Sequence, residues 1–221
     1  MFYQYRKLHA GEKIVVGCDT SMGLNDCCSA QFLSRQELDI PLVFRSKCCG
    51  TEMVNKLFPA LEQISDKTGK NPLVAIERNN GGDRDIERLA ILNRNRKFDI
   101  YEMKRFGDIN EKEPTKLGWD TNSATRPIML TALKEVIDHL LIRIYDKITI
   151  EQLFSFVKVQ TSSIMKAQAE NNCYDDDVMA LGIAWQLYLD VQSETDDGVI
   201  SAAVEEHKRN ILKMEVGSAG Y

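Results

Sequence analysis

Apolar and polar residues follow two different periods along this chain. Ile14–Asp19 (IVVGCD) is a short apolar run closed by an acid, the pattern of a buried strand. The turn-forming stretch TSMGLND follows, and then CCSAQFL and IPLVFR supply two more strand candidates. Their close spacing predicts an antiparallel meander. From Thr51 the period changes: Met53, Val54, Leu57, Phe58, Leu61 and Ile64 recur at helical spacing. Thr51 is the expected N-cap of this helix, and Pro59 is expected to kink or break it. Leu73–Glu77 (LVAIE) reads as another buried strand ending in an acid, NNGG as a break, DRDIERLAIL as a helix and FDIYEM as a strand. Strand, helix, strand at this spacing implies a parallel βαβ unit.

The second half is less regular. Residues 104–123 are polar and rich in turn formers, so a long loop or a small hairpin is expected. TRPIMLTALKEVIDHLLIRI opens with Thr125 and carries Pro127 in its first turn, both helix-start signals, with an apolar stripe of Ile128, Leu133, Val136, Ile137, Leu140 and Leu141. A short strand and a short helix are expected within residues 147–157. The last core helix runs from Asp175 to about Leu189, with Val178, Leu181, Gly182 and Trp185 expected toward the sheet. Beyond it the composition turns polar and charged. Residues 1–192 are therefore expected to form one domain, and residues 193–221 a peripheral helix and tail.

Length and composition narrow the class. The chain has 221 residues, 43% hydrophobic and 28% charged, enough for one large α/β domain with a real core. No apolar run reaches membrane-spanning length and MFYQYRKLHA lacks the apolar stretch of a signal peptide, so a cytosolic setting is expected. Of the six cysteines, Cys27-Cys28 and Cys48-Cys49 are adjacent pairs in strand-like runs, whose side chains point to opposite faces and do not clamp one ion. With no CxxC, reduced and mostly buried thiols are expected. The formal net charge of −5 disfavours a nucleic-acid surface overall, but RNRK (Arg94 to Lys97) and Lys104-Arg105 are locally basic.

The acids change the picture most. Asp19 ends the first apolar strand, Glu77 ends a later one, and Asp175, Asp176 and Asp177 open the last core helix. Taken singly, a strand-end Asp is usually a turn former and acids at a helix start are usually caps; Asp177 is expected to be a solvated first-turn acid. Taken together, strand ends at one sheet edge are where α/β folds build sites. Several carboxylates in one place stay ionised only if cations hold them, and oxygen-only ligands suit Mg²⁺ or Mn²⁺.

Four segments, in order, carry a family resemblance. VVGCDTSMGLND, VAIERNNGG, GWDTNSATRPIML and YDDDVMALGIA resemble the motifs of the nuclease domain of the large terminase subunit of tailed bacteriophages. That domain has a ribonuclease H-like, RuvC-like fold. The resemblance covers roughly Val15 to Leu189. It implies an α/β ribonuclease H-like mixed sheet with an antiparallel first meander and helices on both faces. It places metal ligands at Asp19, Glu77, Asp175 and Asp176, with Asp26 a frequent second acid, and the essential catalytic acids at Asp19, Glu77 and Asp176. Tyr174 stands where many relatives have His, and the extra Asp177 leaves open whether Asp175 or Asp177 serves a second ion.

The implied activity is a Mg²⁺- or Mn²⁺-dependent endonuclease that cuts concatemeric double-stranded viral DNA through two ions. Arg78, Lys104, Lys116 and Arg126 are the candidate phosphate contacts, Arg126 foremost because it precedes an expected helix N-terminus. Implied partners are DNA, the ATPase domain of the same subunit, the small terminase subunit and the portal, at a packaging motor in the host cytoplasm and not in the mature virion. The chain has no G-x-x-x-x-G-K-[ST] loop, so it is expected to be a separately expressed nuclease domain without the ATPase. Two rivals stand beside this reading: another ribonuclease H-like nuclease such as a junction resolvase, and a non-catalytic module that docks on the motor or portal.

Overall fold

Strand β2 (Ile14–Asp19) is the spine of the molecule, buried along its whole length. A computed structural model describes residues 1–22, 26–103, 116–161 and 175–194. On one side β2 pairs antiparallel with β3 (Cys28–Ser34), which pairs antiparallel with β4 (Asp39–Ser46). This is the expected meander. On the other side β2 runs parallel to β5 (Leu73–Ile76), and β5 parallel to β6 (Asp99–Ile100). The far edge of β4 is shared by β1 (Phe2–Gln4), antiparallel, and β9 (Arg143–Ile144), parallel. FDIYEM is two short strands, since Tyr101 separates β6 from β7 (Glu102–Met103); β7 pairs antiparallel with β8 (Lys116–Leu117) in a separate two-stranded sheet.

Alternation along β2 divides the core. Ile14, Val16 and Cys18 face α1 (Gly50–Thr68) and α2 (Gly82–Leu92), meeting Met53, Val54, Leu57, Leu61, Ile86 and Leu89. Val15 faces the opposite layer with Leu33, Val43 and Ala75, against α3 (Thr125–Asp138), α4 (Lys147–Thr161) and α5 (Asp176–Glu194). Helices thus cover both faces. Each fully buried aliphatic side chain in these layers contributes about 1.5–3 kcal/mol. No described helix is long and apolar enough to cross a membrane.

Four local expectations are corrected. Helix α1 runs unbroken through Pro59, because Pro59 is on the exposed face and the residues that pin α1 to the sheet lie on both sides of it. Its N-cap position is Cys49, not Thr51, with no side-chain cap. Helix α3 stops at Asp138: Leu140 takes a left-handed backbone, φ 53°, and the Leu141 N–H returns to the Val136 carbonyl at 2.9 Å, closing the helix without a glycine. Ile128 and Leu140, assigned to its apolar stripe, are exposed.

Helix α5 lies directly on β2. A Cβ added to Gly17 would sit 2.2 Å from the Ala180 carbonyl oxygen and 2.3 Å from the Ala184 nitrogen, so the glycine and two alanines set the spacing. Gly182, expected toward the sheet, instead faces Met129 of α3, and Val178 lies between α3 and α4. A helix buried on every side has no apolar stripe from which to read its sheet-facing side. The expected peripheral segment falls mostly outside the described residues.

Candidate active site

The parallel register of β2 and β5 pairs Cys18 with Ile76, and the Glu77 N–H continues the ladder to the Cys18 carbonyl at 2.9 Å. Asp19 and Glu77 are therefore neighbours at the same strand ends. Both follow the alternation of Val15, Gly17 and Ala75 and face the α5 layer. The chain then turns sharply through Asn79–Gly81 into α2, and a Cβ at Gly82 would lie 1.7 Å from the Glu77 carbonyl oxygen. Asn79 Nδ2 donates to Glu77 Oε1 at 3.3 Å and to the Thr121 carbonyl at 2.8 Å, tying Glu77 to the segment that enters α3. Along the outer side of Glu77, the Trp119 N–H meets the Ile76 carbonyl at 3.0 Å and the Arg78 N–H meets the Trp119 carbonyl at 2.8 Å.

The three consecutive acids fan out around the start of α5, as successive helical positions must. Asp175, whose carbonyl accepts the Met179 N–H at 2.9 Å, turns toward α3 and pairs with Arg126 at 3.2 Å. Asp176 accepts the Cys27 backbone N–H at 3.3 Å, beside β3, and its charge acts on Asp19. Asp177 turns toward β3 and β4. It is fully buried, takes hydrogen bonds from Ser29 at 2.5 Å and Arg45 Nε at 2.6 Å, and its N–H donates to Gln152 at 2.9 Å. The expectation of a solvated Asp177 is overturned: the half-buried Arg45 guanidinium lies at its azimuth, which the charge pattern of one helix turn does not reveal.

Electrostatics separate the acids by role. Burial, the Glu77 carboxyl within hydrogen-bonding reach, and the charges of Asp176 and Asp175 push Asp19 well above the ordinary carboxylate range. Burial pushes Asp176 up to about 7, against the Cys27 N–H and with help from Asp26, Asp175 and Asp177. Burial also raises Asp177, opposed by Ser29 and Arg45. Among the described residues Asp19, Glu77 and Asp176 form no ion pair, whereas Asp175 and Asp177 each have an arginine. No three His, Cys, Asp or Glu side chains among the described residues are drawn tightly enough together to enclose an ion as they stand. The donors nevertheless suit a hard divalent cation: they are all carboxylate oxygens, and among the described residues none of Asp19, Glu77 and Asp176 is paired with a cationic side chain.

The expected phosphate contacts are placed unequally. Arg126 lies on the first turn of α3 beside Asp175, both 34% exposed in their side chains. Arg78 is turned to Asp83 at 2.7 Å and to the Leu117 carbonyl at 3.0 Å, on the outer side of Glu77. Lys116 is exposed on β8, Asp26 is exposed near Asp176, and Lys104 and Tyr174 lie outside the described residues. Sequence reasoning missed Arg45, Asn79 and Asn122. The side chain of Asn122 accepts the Ala124 and Thr125 N–H groups at 2.9 and 3.0 Å and so caps the start of α3. Asn122 was legible as an Asx residue before a helix. Ser29 and Gln31, polar at alternate positions of an apolar strand, were the signal of a buried polar stripe next to Arg45.

No family model and no curated protein sequence matches the chain. Solved structures do match its fold. The large terminase nuclease domain of Thermus phage P74-26 aligns over 88% of this chain and 85% of that one, with TM-score 0.55 and 15% identity. The large terminase nuclease of thermophilic phage G20c aligns with bound cobalt (TM-score 0.56, 14% identity) and with bound magnesium (TM-score 0.55, 15% identity), each over 83% of this chain and 84% of that one. At these identities the likeness is one of fold, the ribonuclease H-like mixed sheet with helices on both faces.

Proposed function

We propose that this chain is a metal-dependent endonuclease of the terminase type, cutting double-stranded DNA at phosphodiester bonds. The observation that carries the reading is that Asp19, Glu77 and Asp176, from three distant segments, lie at one sheet edge and have no ion-pair partner among the described residues. The structural likeness to terminase nucleases, one of them solved with bound cobalt and with bound magnesium, supports it.

Asp19, Glu77 and Asp176 would hold the first ion and, with Asp175, a second, Mg²⁺ or Mn²⁺ being the hard cations such a donor set prefers. Bound there, divalent ions supply an activated water and Lewis-acid charge for the phosphodiester. The protein supplies orientation. Asn79 fixes the rotamer of Glu77, the Cys27 N–H fixes Asp176, and the Gly17 contact fixes the height of α5 above β2. Arg126, at the capped start of α3, turns a positive group toward the same edge and can move from Asp175 to a phosphate. Lys116, Lys104 and Arg78 are peripheral contacts in this reading. The packaging context follows from it: concatemeric DNA as substrate, an ATPase domain, small subunit and portal as partners, and the host cytoplasm as location.

The test is plasmid nicking with Mg²⁺ or Mn²⁺, wild type beside Asp19→Asn. Cutting that needs metal and Asp19 supports the reading. A marked preference for four-way junctions would replace it with a resolvase, and protein that neither binds Mn²⁺ nor cuts would be a docking module.

A further inference from the structure

A row of polar side chains crosses the sheet edge beneath the start of α5. The registers pair Arg45 with Ser29 and Ser29 with Asp19, and Glu77 follows on β5, so Arg45, Ser29, Asp19 and Glu77 share one face on four adjacent strands. The first turn of α5 lies across this row. Arg45 meets one oxygen of Asp177 with two nitrogens: Nε donates to Oδ2 at 2.6 Å, and Nη2, which also bonds Asp146, lies 2.5 Å from the same atom. The same guanidinium bonds Asp146 at 2.5 Å, and Asp146 in turn holds the Thr149 N–H at 2.8 Å at the start of α4. From outside, the Tyr3 ring lies 5.8 Å from the guanidinium and the Tyr5 hydroxyl bonds Asp146.

We propose that Arg45 is a positioning residue for the candidate active site: by clamping Asp177 it fixes the rotation of the first turn of α5 and so aims Asp176 at Asp19. This rests on the nuclease reading. Asp177 is one residue from Asp176, so helix geometry converts any rotation of the clamped acid into a rotation of the ligand acid. A guanidinium that only neutralised buried charge could be replaced by another cation, whereas one that sets direction needs its planar fork.

The experiment compares wild type, Arg45→Lys and Ser29→Ala by Mn²⁺ titration calorimetry, by Mn²⁺ dependence of plasmid nicking and by amide hydrogen exchange without metal. Arg45→Lys keeps the charge and loses the fork; Ser29→Ala removes one hydroxyl from Asp177, keeps all charges, and decides the matter if Arg45→Lys fails to fold. The expected result is about 10-fold weaker Mn²⁺ binding, a matching rise in the Mn²⁺ needed for half-maximal nicking, rates largely restored at saturating Mn²⁺, and faster exchange confined to the first turn of α5. Ser29→Ala should move the same readouts less. A folded Arg45→Lys with wild-type Mn²⁺ affinity overturns the proposal, as does exchange that rises throughout the molecule. Wild type that fails to bind Mn²⁺ overturns the nuclease reading itself, a result distinct from either.

Discussion

The carboxyl groups of Asp19 and Glu77 lie within hydrogen-bonding reach across two parallel strands. Two carboxylates keep such a contact only when a proton or a cation sits between them. Asp19→Asn and Glu77→Gln should therefore each lower metal-dependent nicking by at least about 100-fold, the scale of losing one essential group. In chelator, Asp19→Asn should stabilise the fold by about 1 kcal/mol, or about 2–4 °C for a chain of this size. Differential scanning calorimetry in EDTA, beside nicking assays in Mg²⁺, checks both halves.

Stability of the metal-free protein should fall as pH rises from about 4 to about 7. Asp176 moves from an ordinary value of 3.8 to about 7 on folding, and Asp19 and Asp177 are also raised. In that window the folded state binds more protons than the unfolded state, so raising the pH favours unfolding. Asp146 and Glu12, held low by Arg45 and Arg6 against their burial, act in the opposite sense and only below the ordinary carboxylate range. Thermal melts from pH 5 to 7.5 in EDTA should show the decline, and Asp176→Asn should flatten it.

Asp177→Ala should be destabilising, by about 3 kcal/mol, since it leaves Arg45 and Ser29 facing a buried gap. The side chain of Asp177 is fully buried, and without it Arg45 keeps Asp146 as its one ion-pair partner among the described residues. Urea denaturation monitored by tryptophan fluorescence measures this; Trp185 sits on the same helix.

Arg126→Ala should leave the fold intact, because a half-exposed ion pair contributes at most about 1 kcal/mol. Its effect should fall on DNA grip. Nicking at moderate salt should drop and high enzyme concentration should restore it, whereas no concentration should rescue Asp19→Asn. Wild-type behaviour at every salt concentration would make Arg126 a bystander.

Gly17→Ala tests the contact between sheet and helix. The new methyl would meet backbone atoms of Ala180 and Ala184, which cannot turn aside. A loss of about 3 kcal/mol is expected from overpacking of this kind, with nicking lost even where the protein still folds. Circular dichroism melts and the plasmid assay read the two effects separately.

Much of this was legible from residue pattern. IVVGCD and LVAIE read as buried strands because a strand covered on both faces is apolar throughout, and a charge closing such a run is conspicuous. The rest depended on distant residues. Nothing near Asp177 says that Arg45 will reach it from β4, and nothing near Pro59 says that both halves of α1 will be pinned to the sheet. The end of α3 was hidden because Leu140 does what a glycine usually does. The sheet-facing side of α5 was hidden because the whole helix is apolar; only the small size of Ala180 and Ala184 opposite Gly17 marks it.

The seating of α5 on Gly17 also orders events in time. The meander of β2, β3 and β4 is local in sequence and can form early, whereas α5 must close a long loop to reach β2 and docks late. A chain still emerging from the ribosome carries Asp19 and Glu77 well before Asp176. On the nuclease reading, the unfinished polypeptide is a safe intermediate, and cutting power arrives only with the last described helix.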